Sequence, residues 1–80
     1  MRYYFDIRDG TVLVPDHEGI EFPDLEAVLR EAVRTLGGLA KSTAFEVQKP
    51  SPQKTAVEVR DKTGPLLTVD FIVSWTVFRQ

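Results

Sequence analysis

A few residue groupings in this 80-residue chain have the types and spacing for chemistry. His17 stands between Asp16 and Glu18. An imidazole beside carboxylates is the material of general acid–base catalysis, given a substrate or nucleophile within hydrogen-bond reach. Neighbours in an extended segment point to opposite sides, so these three do not converge by position alone. The expectation for His17 is an exposed loop residue. Asp16, Glu18 and Glu21 suggest a calcium loop, which needs ligands at set positions and a closing glutamate. Counted from Asp16, the third ligand position is Ile20 and the closing position is Ala27, so the motif fails.

Asp6 and Asp9 flank a turn, and Asp6 and Asp70 are candidates to face one another across strands. Carboxylate pairs do acid–base work only where a site drives their pKa values apart; on an exposed sheet face they are solvated. Ser42, Ser51 and Ser74 lack a nearby base or a nucleophile elbow. Gly37-Gly38 and Gly64 match no phosphate-cradling loop. Tyr3, Tyr4 and Phe5 resemble base-stacking aromatics, but such readers also need a basic surface.

Composition narrows the field further. The chain has no cysteine and one histidine, which excludes disulfide scaffolds, thiolate zinc sites and multi-histidine metal sites. No cofactor or metal is expected, and no enzyme activity. Hydrophobic residues make up 42% and charged residues 28%, the balance of one small folded domain spanning residues 1–80. The net charge of −2 provides no basic field, so nucleic acid is an unfavoured partner. No stretch has the length of a signal peptide's apolar region or a membrane helix, so a cytoplasmic protein is expected.

The mild net charge conceals an asymmetry. Residues 1–31 carry eight acids and three bases, while residues 32–80 carry four acids and seven bases. The densest run holds Asp16, Glu18, Glu21, Asp24 and Glu26 with no base among them. Such runs are usually solvated faces or helix starts; the sharper reading makes these five residues a binding segment for a basic protein partner.

The elements that must position these residues follow from periodicity. Arg2–Arg8 alternates, with Tyr3, Phe5 and Ile7 on one side, as in a half-buried strand. Asp9-Gly10 predicts a hairpin into Thr11–Val14, with positive φ at both turn positions. Pro15 and Gly19 break the pattern, and Ile20 and Phe22 extend a short strand or staple the loop to the core. Asp24 is a good N-cap. Leu25, Val28, Leu29, Ala32, Val33, Leu36 and Leu39 recur at helical spacing, for an amphipathic helix of roughly four turns ending near Gly37-Gly38. Residues 41–55 read as irregular, with a short strand possible at Ala44–Val47. Ala56–Arg60 alternates, Asp61–Pro65 makes a second hairpin, and a last strand starts near Leu66. The expected fold is α+β: a four-stranded antiparallel sheet with one helix across one face, in ββαββ order. The expected core is Tyr3, Phe5, Ile7, Leu25, Val28, Leu29, Val33, Leu36, Val57, Val59, Leu67, Val69 and Phe71.

The last strand bears on assembly. Leu67, Val69, Phe71, Val73, Trp75 and Val77 share one face. Extended throughout, these positions span roughly 36 Å at about 3.3 Å each. A helix of roughly 16 residues covers only about 24 Å. The strand overhangs its cover, so Val73, Trp75, Val77 and Phe78 are the candidate interface of a homodimer, the alternative cover being a loop of the same chain.

Arg2-Tyr3-Tyr4-Phe5 running to Asp9-Gly10, then Asp16-His17-Glu18-Gly19-Ile20-Glu21, Asp24-Leu25, Glu31-Ala32, and Val59-Arg60-Asp61 with Gly64 and Leu67, resemble the domain of unknown function family numbered 6894. This is a family of small bacterial proteins common in rhizobia and related bacteria. The resemblance covers nearly the whole chain and implies no catalytic residue or cofactor. The element order and the Phe22-Pro23-Asp24-Leu25 helix entry are also similar to HicB-type antitoxin domains. That similarity implies a partner role, with the acidic segment 16–26 facing a basic toxin or RNase. The leading expectation is a non-enzymatic, homodimeric protein-interaction module.

Overall fold

The computed structural model describes residues 1–43 and 53–79. It is an α+β fold with one helix and an antiparallel sheet. The strands are β1 (Arg2–Asp9), β2 (Val12–Val14), β3 (Ile20–Glu21), β4 (Gln53–Asp61) and β5 (Gly64–Val73), and the helix is α1 (Leu25–Thr43). The sheet order is β2-β1-β4-β5, with β3 also paired to β1. The sheet therefore has five strands rather than four, because the Ile20–Phe22 segment pairs with the start of β1 instead of only stapling the loop. Arg2 and Tyr3 lie opposite Glu21 and Ile20, while Ile7 to Asp9 lie opposite Val14 to Val12. One edge of β1 thus carries two short strands end to end.

The first hairpin sits one residue later than the sequence suggests. Asp9 pairs with Val12, so Gly10 and Thr11 form the turn, and Gly10 alone has positive φ, at 62°. A two-residue loop with glycine leading suits the right-handed strand twist. The second hairpin turns at Lys62-Thr63, where the Asp61 carboxylate accepts from the Thr63 amide at 2.8 Å and hydroxyl at 2.6 Å. Those bonds, the hydroxyl's first, hold the Asp61 carboxyl below its ordinary range. Leu66 is an extra residue of β5, since Arg60 lies opposite Pro65 and Val59 opposite Leu67. Such a bulge bends the strand locally.

Asp24 caps α1, its Oδ1 accepting from the Ala27 amide at 2.8 Å. The helix runs to Thr43, through Gly37-Gly38 and longer than expected, and β4 starts at Gln53. Both intrude on the stretch read as irregular; Ala44–Val47 lies outside the described residues. α1 rests on β4 and β5. Phe22 covers the start of β1, its ring 6.4 Å from Tyr3 and 5.8 Å from Phe5. The core is Tyr3, Val28, Ala32, Val57 and Val59, with Phe5, Ile7, Phe22, Leu36, Leu39, Leu67 and Val69 packed around it.

The helix corrects the expected core. Val28 and Ala32 are fully buried, while Leu25, Leu29 and Val33 are 52%, 45% and 53% exposed. Periodicity marks an apolar arc of the helix, but the small Val28 and Ala32 let the axis approach the sheet, and the flank beside them stays in water. The last strand is also corrected: β5 stops at Val73, level with Gln53, the first residue of its neighbour. Trp75 and Val77 continue the apolar alternation without being strand.

Candidate functional site

The densest polar structure sits where β2 gives way to β3 along β1. Between those strands the amide of Phe5 points outward with no strand to receive it. Asp16 Oδ2 accepts it at 3.1 Å, while Asp16 Oδ1 accepts from the amides of Glu18 and Gly19, both at 3.1 Å. Burial pushes the Asp16 carboxyl upward, but those three amides and the nearby Arg60 outweigh it and hold the group below its ordinary value. Gly19, with φ 72°, tucks against β1 so closely that a Cβ would lie 2.8 Å from Arg2 Cγ and 2.9 Å from the Tyr3 carbonyl.

Asp6 and Arg60 clamp the same loop from the open face of the sheet. Asp6 Oδ1 accepts the Asp16 amide at 2.8 Å, and Asp6 Oδ2 takes Arg60 Nε at 2.8 Å. Arg60 also donates to the Asp16 carbonyl at 2.9 Å and lies 4.6 Å over the Tyr4 ring. The Asp6 carboxylate raises the Arg60 pKa. Alternation along β1 delivers Tyr4 and Asp6 to this face, and register brings Arg60 opposite Tyr4. Sequence reading singled out Asp6 and Asp16 but assigned neither this role, and gave Arg60 no part beyond the family resemblance; contacts between residues 6, 16 and 60 leave no local signal.

Further along the open face, Arg8 Nε meets Glu58 Oε2 at 2.6 Å and Lys54 Nζ lies 3.9 Å from Asp70. Ala56 lies between Arg8 and Asp70 in the register and floors a groove of about 640 Å³. Asp6 and Asp70 share this face, but β4 separates their strands, so they form no carboxylate pair; each meets a cation instead. The face carries opposite charges already paired with one another.

Of the five acidic candidates, Glu18, Glu21, Asp24 and Glu26 are exposed and Asp16 is half-buried, and four of the five have partners within the chain. Asp16 faces backbone amides, Asp24 caps α1, Glu26 pairs with Arg30 at 3.0 Å, and Glu21 pairs with the N-terminal ammonium at 3.0 Å. Among the described residues Glu18 alone of the five has an uncommitted carboxylate, its carbonyl accepting from Arg2 at 2.7 Å. His17 is exposed beside it. Among the described residues no three His, Cys, Asp or Glu side chains are grouped to hold a metal ion. No described helix is long and apolar enough to cross a membrane. At the other end of the molecule Val73 and Trp75 are half-buried, while Val77 and Phe78 are 63% and 90% exposed.

Fold and site together define a small α+β domain whose ionisable side chains are largely committed to holding its own loops and strands. Residues 2–72 match the family described as Domain of unknown function (DUF6894), and the chain belongs to it. No curated protein and no solved structure matches the chain significantly.

Proposed function

We propose that this protein is a non-enzymatic, cytoplasmic protein-interaction module that acts as a homodimer through its last strand and tail. The observation that carries this reading is the edge position of β5, whose apolar alternation runs on through Trp75 and Val77 to the bare Phe78. Monomeric proteins rarely leave a contiguous apolar surface uncovered. The antitoxin-like alternative, a basic toxin or RNase docked on segment 16–26, draws less support. Four of its five acids already have intramolecular partners. Light scattering after size exclusion tests the reading. The wild-type chain is expected at twice its 9.1 kDa mass, and Trp75→Ala with Phe78→Asp is expected to shift it toward monomer. A clean monomer, unaltered by those changes, overturns it.

A further inference from the structure

The helix and the buried core lie on one face of the sheet, and the groove lies on the other. Its layout follows from the register. Ala56 stands opposite Arg8 of β1 on one side and Asp70 of β5 on the other. Lys54 and Glu58, two residues away in each direction along β4, share its face. Ala56, the small residue at the centre of these four, is 5% exposed. The four pair along two diagonals, Arg8 with Glu58 and Lys54 with Asp70. The pairs stand on opposite sides of Ala56. Between them the groove runs from Gly10, whose amide bonds to the Lys54 carbonyl, across Ala56 to Thr68, which lies opposite Glu58.

This groove is polarised along its length. Each wall is an ion pair without net charge, but the two walls are oriented alike. Arg8 and Lys54 stem from the positions nearer Gly10, and Glu58 and Asp70 from those nearer Thr68. One mouth is therefore flanked by a cation on each side, and the other by a carboxylate on each side. The walls also differ in closeness. Arg8 meets Glu58 at 2.6 Å, whereas Lys54 Nζ stands 3.9 Å from Asp70, beyond hydrogen-bond reach. That ammonium and that carboxylate can turn to a ligand without breaking a hydrogen bond between them. Gly10 brings no side chain to the cationic mouth, and nothing lies within 4 Å of where its Cβ would be. At the other mouth the Thr68 hydroxyl donates to the Val57 carbonyl at 3.3 Å, and the lining continues over Pro65 and Leu66.

We propose that the groove binds a short peptide as a zwitterion, its carboxylate between Arg8 and Lys54 and its terminal ammonium between Glu58 and Asp70. This site goes beyond the homodimer reading and does not depend on it. A lone anion or cation satisfies one mouth only; a molecule carrying both charges satisfies both. Spacing sets its length. With strands about 4.8 Å apart and residues about 3.3 Å apart along each, the centres of the two mouths are roughly 8 Å apart. An extended chain reaches roughly 7 Å with two residues and roughly 10 Å with three, so a single amino acid is too short. The first side chain of the peptide then lies over Pro65 and Leu66, which favours an apolar residue there. A volume of about 640 Å³ is in the range of small-ligand sites. Along the floor the backbone of β4 is paired on both sides, so charge and apolar contact select the ligand. All four charged side chains are at least 36% exposed, and binding is therefore modest and sensitive to salt.

Amide NMR of the full chain titrated with leucyl-alanine tests the proposal. Shifts centred on Ala56 and a Kd on the order of 1 mM are expected. N-acetyl-leucyl-alanine lacks the ammonium and leucyl-alanine amide lacks the carboxylate. Each is expected to bind about 10-fold more weakly. Asp70→Asn and Lys54→Gln change exposed side chains, so the fold is expected to persist. In Asp70→Asn the acetyl cap should lose most of its effect, and in Lys54→Gln the amide cap should do so, because each substitution removes a group that the cap leaves unused. Caps that weaken binding equally in wild type and in both variants overturn the proposal. So does a spectrum without shifts around Ala56 at about 20 mM leucyl-alanine. Light scattering on the same samples reads the oligomeric state separately, so failure of this site and failure of the homodimer reading are distinguishable.

Discussion

The two edges of the sheet are built on opposite plans. The β1 edge is divided between strands of three and two residues, and the gap between them is filled by a carboxylate. Short edge strands and inward-turned charge are the devices that stop a sheet from pairing with a neighbour. The β5 edge has ten residues and one charge, Asp70. The contrast locates the polar investment of this chain. Asp6, Asp16 and Arg60 gather at the edge that is closed, and apolar side chains gather at the edge that no described strand covers. That cluster ties the loop between β2 and β3 to the β1 edge.

Removing the hub of the closed edge should have the largest effect. The Asp6 side chain is 11% exposed, holds Arg60 and accepts the Asp16 amide. Asp6→Ala leaves that amide without its acceptor and the guanidinium without its anion. A loss of about 3 kcal/mol is expected, the range for breaking a partly buried pair. Urea unfolding measures it, and a loss within about 0.5 kcal/mol, as for an ordinary surface change, would show that the clamp does not hold the loop. Hydrogen exchange sharpens the point: amides at Val12–Val14 and Ile20–Glu21 should open before those of β4.

The sequence made the backbone turns legible and left the clamp hidden, for physical reasons. Gly10 and Gly64 have positive φ at the two hairpins, and Asp24 caps the helix, because these roles depend on near neighbours. Asp16 was visible as an acid, but its partners are a loop of three residues and a strand eleven residues away. Composition alone ranks it with Glu18, whose carboxylate does nothing comparable. The helix shows the same limit. Its apolar arc was readable, yet Leu29 and Ala32 exchanged places between core and surface, because the depth of docking depends on side-chain size opposite β4 and not on hydrophobicity.

Acid should affect the closed edge next. The folded-state pKa of Asp16 is lowered, so its contribution is fully present above the unfolded value of about 3.9 and is lost as pH falls through the folded value. At pH 7 Asp16→Asn keeps one acceptor oxygen where three amides need two, and about 1–2 kcal/mol is expected to be lost. As pH falls below the unfolded value toward the lower folded one, the wild type loses that advantage, so the difference between the two proteins should shrink. Urea midpoints at pH 7 and pH 3 check this. A difference that stays constant would mean that the charge of Asp16 contributes nothing to holding the loop.

The open edge should respond to concentration instead of pH. If β5 pairs with its copy, the folded state is stabilised by mass action and the melting temperature depends on protein concentration. A tenfold rise in concentration contributes about 1.4 kcal/mol per dimer, hence about 0.7 kcal/mol per chain. For a domain this small that corresponds to roughly 3–6 °C. Asp6→Ala, which opens the other edge, should melt lower at every concentration and retain the same slope, because Asp6 lies two strands from β5. Trp75→Ala with Phe78→Asp should melt near the dilute wild-type value and lose the slope. Calorimetry across a hundredfold concentration range separates these responses. Identical slopes in all three proteins would mean that the edge with apolar residues is no more adhesive than the edge sealed by Asp16.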